Sequence, residues 1–212
     1  MKFSIAGALL ALVLAGCCSA PAGYPSYREM LVIGDALTAC APNPALGWPH
    51  DWGMAATARE NDFAHRLHTA LREASPELKL ATDSIMYHDE MTGWIHLVPC
   101  SADLVVIQLG ENYKGGIAPD EYAEAYGQMI DELREGNPKT VVCLGPWKNV
   151  QLEPVIAKAA AAHGAKFVSL REIYADPASH AASEGVFPKI GDMPGDRGMQ
   201  KIAEAVLKSL GK

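Results

Sequence analysis

From residue 30 onward, short apolar runs alternate with longer stretches whose apolar positions recur every three or four residues. Strand character falls at residues 30–34, 78–81, 103–109, 140–144 and 166–169. Leu104-Val105-Val106-Ile107 is apolar at consecutive positions, the pattern of a strand covered on both faces. Between these runs, Phe63, Leu67, Ala70 and Leu71 fall on one helical stripe. Tyr122, Tyr126, Met129, Ile130 and Leu133 form another, with Pro119 placed for a first turn. Gly136 and Gly164 follow helical stretches where C-terminal caps would fall. A last helix is predicted at about residues 198–210, with Ile202, Ala205, Val206 and Leu210 on its apolar stripe. The alternation predicts one α/β domain, a five-stranded parallel sheet with helices on both faces. In such a sheet ligands bind beyond the carboxyl ends of the strands. The loops after Gly34, Leu109 and Leu144 and the loop into the last helix are therefore expected to converge.

The first residues have a different pattern: Lys2, an apolar run from Ile5 to Leu14, then small residues. The run is too short to span a bilayer and reads as a targeting segment. Leu14-Ala15-Gly16-Cys17 looks like a bacterial lipobox, in which cleavage before Cys17 leaves that residue to carry lipid. An ordinary signal would instead be cut near Ser19-Ala20-Pro21. Either reading predicts export, and the lipobox predicts an envelope protein anchored on the periplasmic side or at the cell surface. The organisation expected is residues 1–16 as signal, 17–28 as lipidated cysteine and tether, and 29–212 as a single domain.

Losing 16 of 212 residues leaves 196, enough for one substantial core, and losing Lys2 takes the formal charge from −7 to −8. An acidic chain without a basic face is not expected to bind nucleic acid. Membrane contact is expected through the lipid only. Cys18, Cys40, Cys100 and Cys143 have no zinc-like spacing, and Cys143 inside an apolar run reads as a buried small hydrophobe. No metal or other cofactor is expected.

Val32-Ile33-Gly34-Asp35-Ala36-Leu37-Thr38 occupies the first of the converging loops and is similar to the Gly-Asp-Ser-Leu-Thr block of the SGNH (GDSL) hydrolases, except at Ala36. Gly110-Glu111-Asn112 follows the third strand, as that family's Gly-x-Asn block does. Met193-Pro194-Gly195-Asp196-Arg197-Gly198-Met199 resembles its terminal His-Pro-x-x-x-Gly block with Met193 for histidine, and Ile190 stands where the usual aspartate would. The stretch from Ala45-Leu46-Gly47-Trp48 to Trp52-Gly53-Met54-Ala55-Ala56 resembles the long first loop of an exported subgroup. For the family's glycine block, Ser84 to Tyr87 is the nearest stretch. The resemblance covers nearly all of the mature chain and implies the family's three-layer, flavodoxin-like fold.

It also implies an acyl-transfer site in which a serine attacks an ester, a histidine takes the proton, and backbone and asparagine N–H groups hold the oxyanion. Ala36 has no hydroxyl, and the Met193 thioether is no base. What remains is the oxyanion apparatus, the backbone N–H of Ala36 and the amide of Asn112. In subtilisin, losing serine or histidine alone costs about 2 × 10⁶ in kcat. The reading that follows is an SGNH-like lipoprotein without serine-esterase activity, keeping a pocket for an ester-like or acylated glycan ligand. The alternative is an active esterase of small esters or acetylated sugars using another nucleophile such as Ser84, with His88 and Asp89 at hand. A third possibility is a partner-binding protein with a vestigial pocket.

Other residues are weighed the same way. Asp35 is expected to shape and cap the first turn, and Glu111 to hydrogen-bond a neighbouring loop rather than face an oxyanion. Trp48, Trp52 and Trp147 lie on site-end loops, where they could stack on a sugar or acyl group or could seal the core. His65 and His68, three apart, read as a solvated helix face rather than a metal pair. His50 is the histidine expected nearest the pocket, and His96, His163 and His180 have no assigned place.

Overall fold

The structure, a computed structural model, describes residues 23–84 and 101–211. Five parallel strands, β1 (Glu29–Gly34), β2 (Lys79–Ser84), β3 (Leu104–Gln108), β4 (Thr140–Leu144) and β5 (Lys166–Val168), form one sheet in the order β2-β1-β3-β4-β5. The order reverses at β1, so the crevice between β1 and β3 is the topological switch point, where such sheets bind ligands.

Alternate residues of each strand feed two separate cores. Met30, Val32, Leu104, Val106, Val142 and Leu144 face α1 (Phe63–Leu71) and α5 (Asp196–Leu210). Leu31, Ile33, Val105, Ile107, Val141 and Cys143 face α2 (Pro119–Glu135) and α3 (Glu153–Ala162). This is why the central strands carry unbroken apolar runs, Met30 to Ile33, Leu104 to Ile107 and Val141 to Leu144. The short α4 (Arg171–Ala175) lies on the α5 side. Both cores are built from residues 27–210, so a chain that starts at Cys17 keeps all of them. Among the described residues no helix is long and apolar enough to cross a membrane.

Helix ends follow local chemistry. Asp62 accepts the His65 N–H at 2.8 Å and starts α1, while Pro119 opens α2. Glu184 accepts the N–H groups of Asp196 and Arg197 at 3.0 and 2.9 Å, capping α5 from a distant loop. Gly164 takes the left-handed conformation expected of a C-terminal cap, with φ +68°, but Gly136 does not: it stays right-handed, and Asn137 takes φ +59°. Asparagine tolerates that region through its short polar side chain. The expected second strand is displaced as well, running to Ser84 instead of ending at Ala81. As an edge strand, exposed or half-buried along its length, it carries Thr82-Asp83-Ser84, which has no apolar signature.

Candidate functional site

Four loops meet at the carboxyl end of the sheet, each tied to the next by hydrogen bonds. The Asp35 N–H donates to the Gln108 carbonyl at 2.9 Å, fixing the loop after β1 against the end of β3. The buried Asp35 carboxylate then accepts the backbone N–H of Gly110 at 2.9 Å and of Glu111 at 2.8 Å, and the Asn112 amide at 2.9 Å. It thereby ties the loop after β1 to the loop after β3, while the Asp35 carbonyl accepts the Thr38 N–H of its own turn at 2.9 Å. Gly34 is required beneath it, because a Cβ there would meet Thr38 Oγ1 at 2.0 Å and the Gln108 carbonyl at 2.7 Å.

Glu111 continues the chain. Its carboxylate accepts the backbone N–H of Trp147, that of Lys148 at 3.0 Å, and the Gln108 amide at 3.4 Å. The expectation of a hydrogen bond to a neighbouring loop is met. Burial pushes this carboxyl up to about 7, and the Asp35 charge adds to the rise, while the two backbone donors oppose it. Asn149, which no motif or spacing singles out, donates to the carbonyls of Gly110 and Glu111 at 2.6 and 2.9 Å. Trp147 completes the ring through its indole N–H, which donates to the Asp192 carbonyl at 2.8 Å, and the Lys148 ammonium pairs with the Asp192 carboxylate at 2.5 Å.

Asp192 delivers Met193, the residue expected at the base position. Met193 is buried, as is Ile190, and both belong with Ala36 to the apolar layer over α1 and α5. Ala36 is half-buried, and its carbonyl accepts the Met54 N–H at 2.8 Å, which lays the long first loop beside it. Neither position carries a proton-transfer group. Asn112, in contrast, is exposed, with one amide hydrogen on Asp35 and a second hydrogen available to a ligand.

The three tryptophans divide. Trp48 and Trp147 are fully buried and cannot stack on a ligand: Trp48 donates to the Cys40 carbonyl at 3.0 Å and packs edge-on against Phe187, while Trp147 packs against Tyr174. They seal the core edge, under loops that come from the far end of the chain. Trp52 is half-buried, with His50 stacked on it at 3.9 Å and the Arg59 guanidinium 5.6 Å from its ring centre, so little of its ring is open. His50 and the half-buried Phe187 are the rings that remain at this surface. Phe187 holds φ +49°, a conformation rare for a bulky residue.

His65 and His68 are not a solvated face. His65 Nδ1 lies 2.8 Å from the buried Asp62 carboxylate, and His68 Nε2 lies 2.8 Å from the Leu78 carbonyl. Both fasten α1 to its surroundings, and among the described residues no group of histidine, cysteine and carboxylate side chains could hold a metal. Ser84 ends β2 in register with Gly34, and its buried hydroxyl has no hydrogen-bond partner. His88, Asp89, His96, Cys17, Cys18 and Cys100 lie outside the described residues. Cys143 is a buried free thiol in β4, as expected, and Cys40 is another in the first loop.

No family profile and no curated protein sequence matches this chain. Solved structures do. TesA matches with a TM-score of 0.61 and 19% identity over 86% of this chain and 98% of its own. An acetyl xylan esterase matches at 0.56 and 16%, over 86% and 99%. A GDSL-like lipase from Parabacteroides merdae matches at 0.60 and 14%, over 90% and 99%. The chain thus has the three-layer α/β fold of the SGNH/GDSL hydrolases.

Proposed function

We propose, from the premise of an SGNH/GDSL fold, that this chain is an envelope lipoprotein anchored through Cys17. Its pocket holds an ester-bearing or acylated glycan ligand and does not hydrolyse it by the serine route. The observation that carries this reading is the chemistry at Ala36 and Met193: no hydroxyl to attack, no base to take a proton, and Ile190 where a carboxylate would orient that base. The polar half of the site supports retained binding. The exposed Asn112 amide is aimed by Asp35, so an ester carbonyl seated there gains a positioned donor without any step that breaks its bond. Two of the structural neighbours act on acetylated polysaccharides by name, an acetyl xylan esterase and an esterase active on acetylated mannans. That likeness supports the glycan half of the ligand class.

The test is hydrolysis of p-nitrophenyl acetate by the native chain beside the variant Ala36→Ser/Met193→His/Ile190→Asp. The native chain is expected at the uncatalysed rate and the variant above it. Native turnover that the variant leaves unchanged would sink the reading. Binding is checked separately, as a thermal shift with acetylated xylo-oligosaccharides.

A second reading rests on the partnerless hydroxyl of Ser84, a hydrolase with its nucleophile on the edge strand. A fluorophosphonate probe that labels the native chain and not Ser84→Ala would establish it.

A further inference from the structure

Most histidines of the described residues commit a ring nitrogen to the protein itself. His65 is held by Asp62, His68 by the Leu78 carbonyl, His163 by the Asp131 carboxylate, and His180 by the carbonyls of Tyr174 and Asp192. The exception is His50, half-buried in the first loop, whose ring makes aromatic contacts only among the described residues. Its imidazole stacks on Trp52 at 3.9 Å, with the two planes 17° apart. Trp48 lies 5.0 Å from His50 and 6.0 Å from Trp52, which sets it beside this stack rather than over the outer face of His50. Phe187, also half-buried, stands 6.3 Å from His50 with its plane at 86°. Two partly open rings therefore meet in a corner.

Two loops far apart in the chain hold that corner in place. In the first, Asn43 and Trp48 exchange backbone hydrogen bonds at 2.6 and 3.0 Å, and the Cys40 N–H donates to the Trp52 carbonyl at 3.0 Å. In the second, the Phe187 carbonyl accepts the Ile190 N–H at 2.9 Å, and the Lys189 ammonium reaches across to the Ala45 carbonyl at 3.1 Å. Phe187 is kept at φ +49° and ψ +63° by this arrangement. Strain of that kind persists where the surroundings over-determine it, and it gathers at ligand clamps. The corner adjoins the crevice on its α1 and α5 side. Met54, whose N–H donates to the Ala36 carbonyl at 2.8 Å, is four residues beyond His50, a reach of no more than about 15 Å.

We infer that this corner is a sugar subsite, taking a pyranose ring whose hydroxyls are equatorial, as in xylose and glucose. Equatorial hydroxyls leave axial C–H bonds on the faces of the sugar, and their partial positive charge suits the negative face of an aromatic ring. A hydroxyl both donates and accepts, and a neutral imidazole carries one nitrogen for each role. Phe187 supplies the apolar surface, and His50 supplies the polar pair. A phosphate or carboxylate fits less well, because the cations described beside the corner are engaged. Arg59 pairs with Asp51 at 2.7 Å and lies over Trp52, while Lys189 is on the Ala45 carbonyl. The inference rests on the glycan half of the function proposed above and gives the polymer a direction: it enters over the corner and carries its acyl group to Asn112.

The test is calorimetric titration of the chain from Cys17, with Cys17→Ser, by xylopentaose and by acetylated xylopentaose. Plain xylopentaose is expected to bind, and to shift the ring resonances of His50 in the histidine-labelled chain. His50→Ala and Phe187→Gly should each weaken it by at least about fivefold, and so should His50→Phe, which keeps a ring on Trp52 and removes the nitrogens. Phe187→Gly suits a positive φ, so its loss of binding cannot be assigned to a strained fold. Lys158→Glu, exposed on α3, should leave binding unchanged. The ester pocket has its own readout: acetylation should tighten binding, and Asn112→Ala should remove that gain. Xylopentaose binding that the corner variants leave intact overturns the inference. Binding of the acetylated ligand alone, dependent on Asn112 and not on the corner, overturns it too and leaves the proposed function standing. Plain binding that needs His50 and Phe187, with no gain from acetylation, keeps the corner and removes the ester pocket. Failure of both ligands to bind removes both.

Discussion

Two halves of the same crevice have been treated differently. On the β3 and β4 side, Asp35, Glu111, Asn112 and Asn149 satisfy one another and the loop backbones through a continuous set of hydrogen bonds. On the α1 and α5 side, Ala36, Ile190 and Met193 are apolar and merge into the core. The contrast separates positioning from reaction. A buried carboxylate that organises three donors is costly to lose, because each donor left behind keeps its desolvation penalty, whereas a nucleophile or base that nothing else leans on can be replaced without cost to the fold. On the function proposed above, the geometry of the crevice outlives its reactive groups.

The contrast breaks first at Asp35. Asp35→Ala strands the N–H groups of Gly110 and Glu111, and the unfolding free energy from urea titration should fall by about 3 kcal/mol. A loss below about 1 kcal/mol would mean that the loops hold without it.

Glu111 gives the next effect, through pH. Its carboxyl stands at about 7 in the folded chain against an ordinary 4.5, so between those values the folded chain keeps a proton that the unfolded chain has released. The stability this gives is complete below pH 4.5 and is lost as pH rises through 7, on the order of 3 kcal/mol in all. Melting temperatures across that window should slope downward in the native chain and flatten in Glu111→Gln. Parallel slopes would place the titration elsewhere.

Installing the serine and histidine of the proposed site should cost less. Met193→His puts a polar ring into an apolar layer and should destabilise by about 1–2 kcal/mol, read from the denaturant midpoint. Ala36→Ser, at a half-buried position, should stay within about 0.5 kcal/mol of the native chain. If either reversal unfolds the domain, the apolar side tolerates change no better than the polar side.

How much of this could be read from the sequence depends on range. The unbroken run Leu104 to Ile107 marks a doubly covered strand by itself, and the motif residues Asp35, Glu111 and Asn112 announce the crevice. Burial of a loop side chain is a different kind of fact. Trp48 and Trp147 are closed over by Phe187 and Asp192, far along the chain, and nothing local to either tryptophan encodes that cover. Asn149 is equally silent, because its partners Gly110 and Glu111 become neighbours only when β3 and β4 pair. His65 was legible in principle, since Asp62 three residues earlier is both a helix cap and a ring partner.

The two buried thiols among the described residues, Cys40 and Cys143, give the molecule a pair of internal clocks. Burial pushes Cys143 up to about 12 and raises Cys40, so both are protonated and shielded in the folded chain and answer an alkylating reagent only when the structure opens. Cys143 lies in the middle of the sheet and can be reached only through whole-domain opening, whereas Cys40 lies in the loop over the crevice and needs no more than that loop to lift. Peptide-resolved alkylation rates at the two positions would therefore time local opening of the first loop against the lifetime of the fold that carries it.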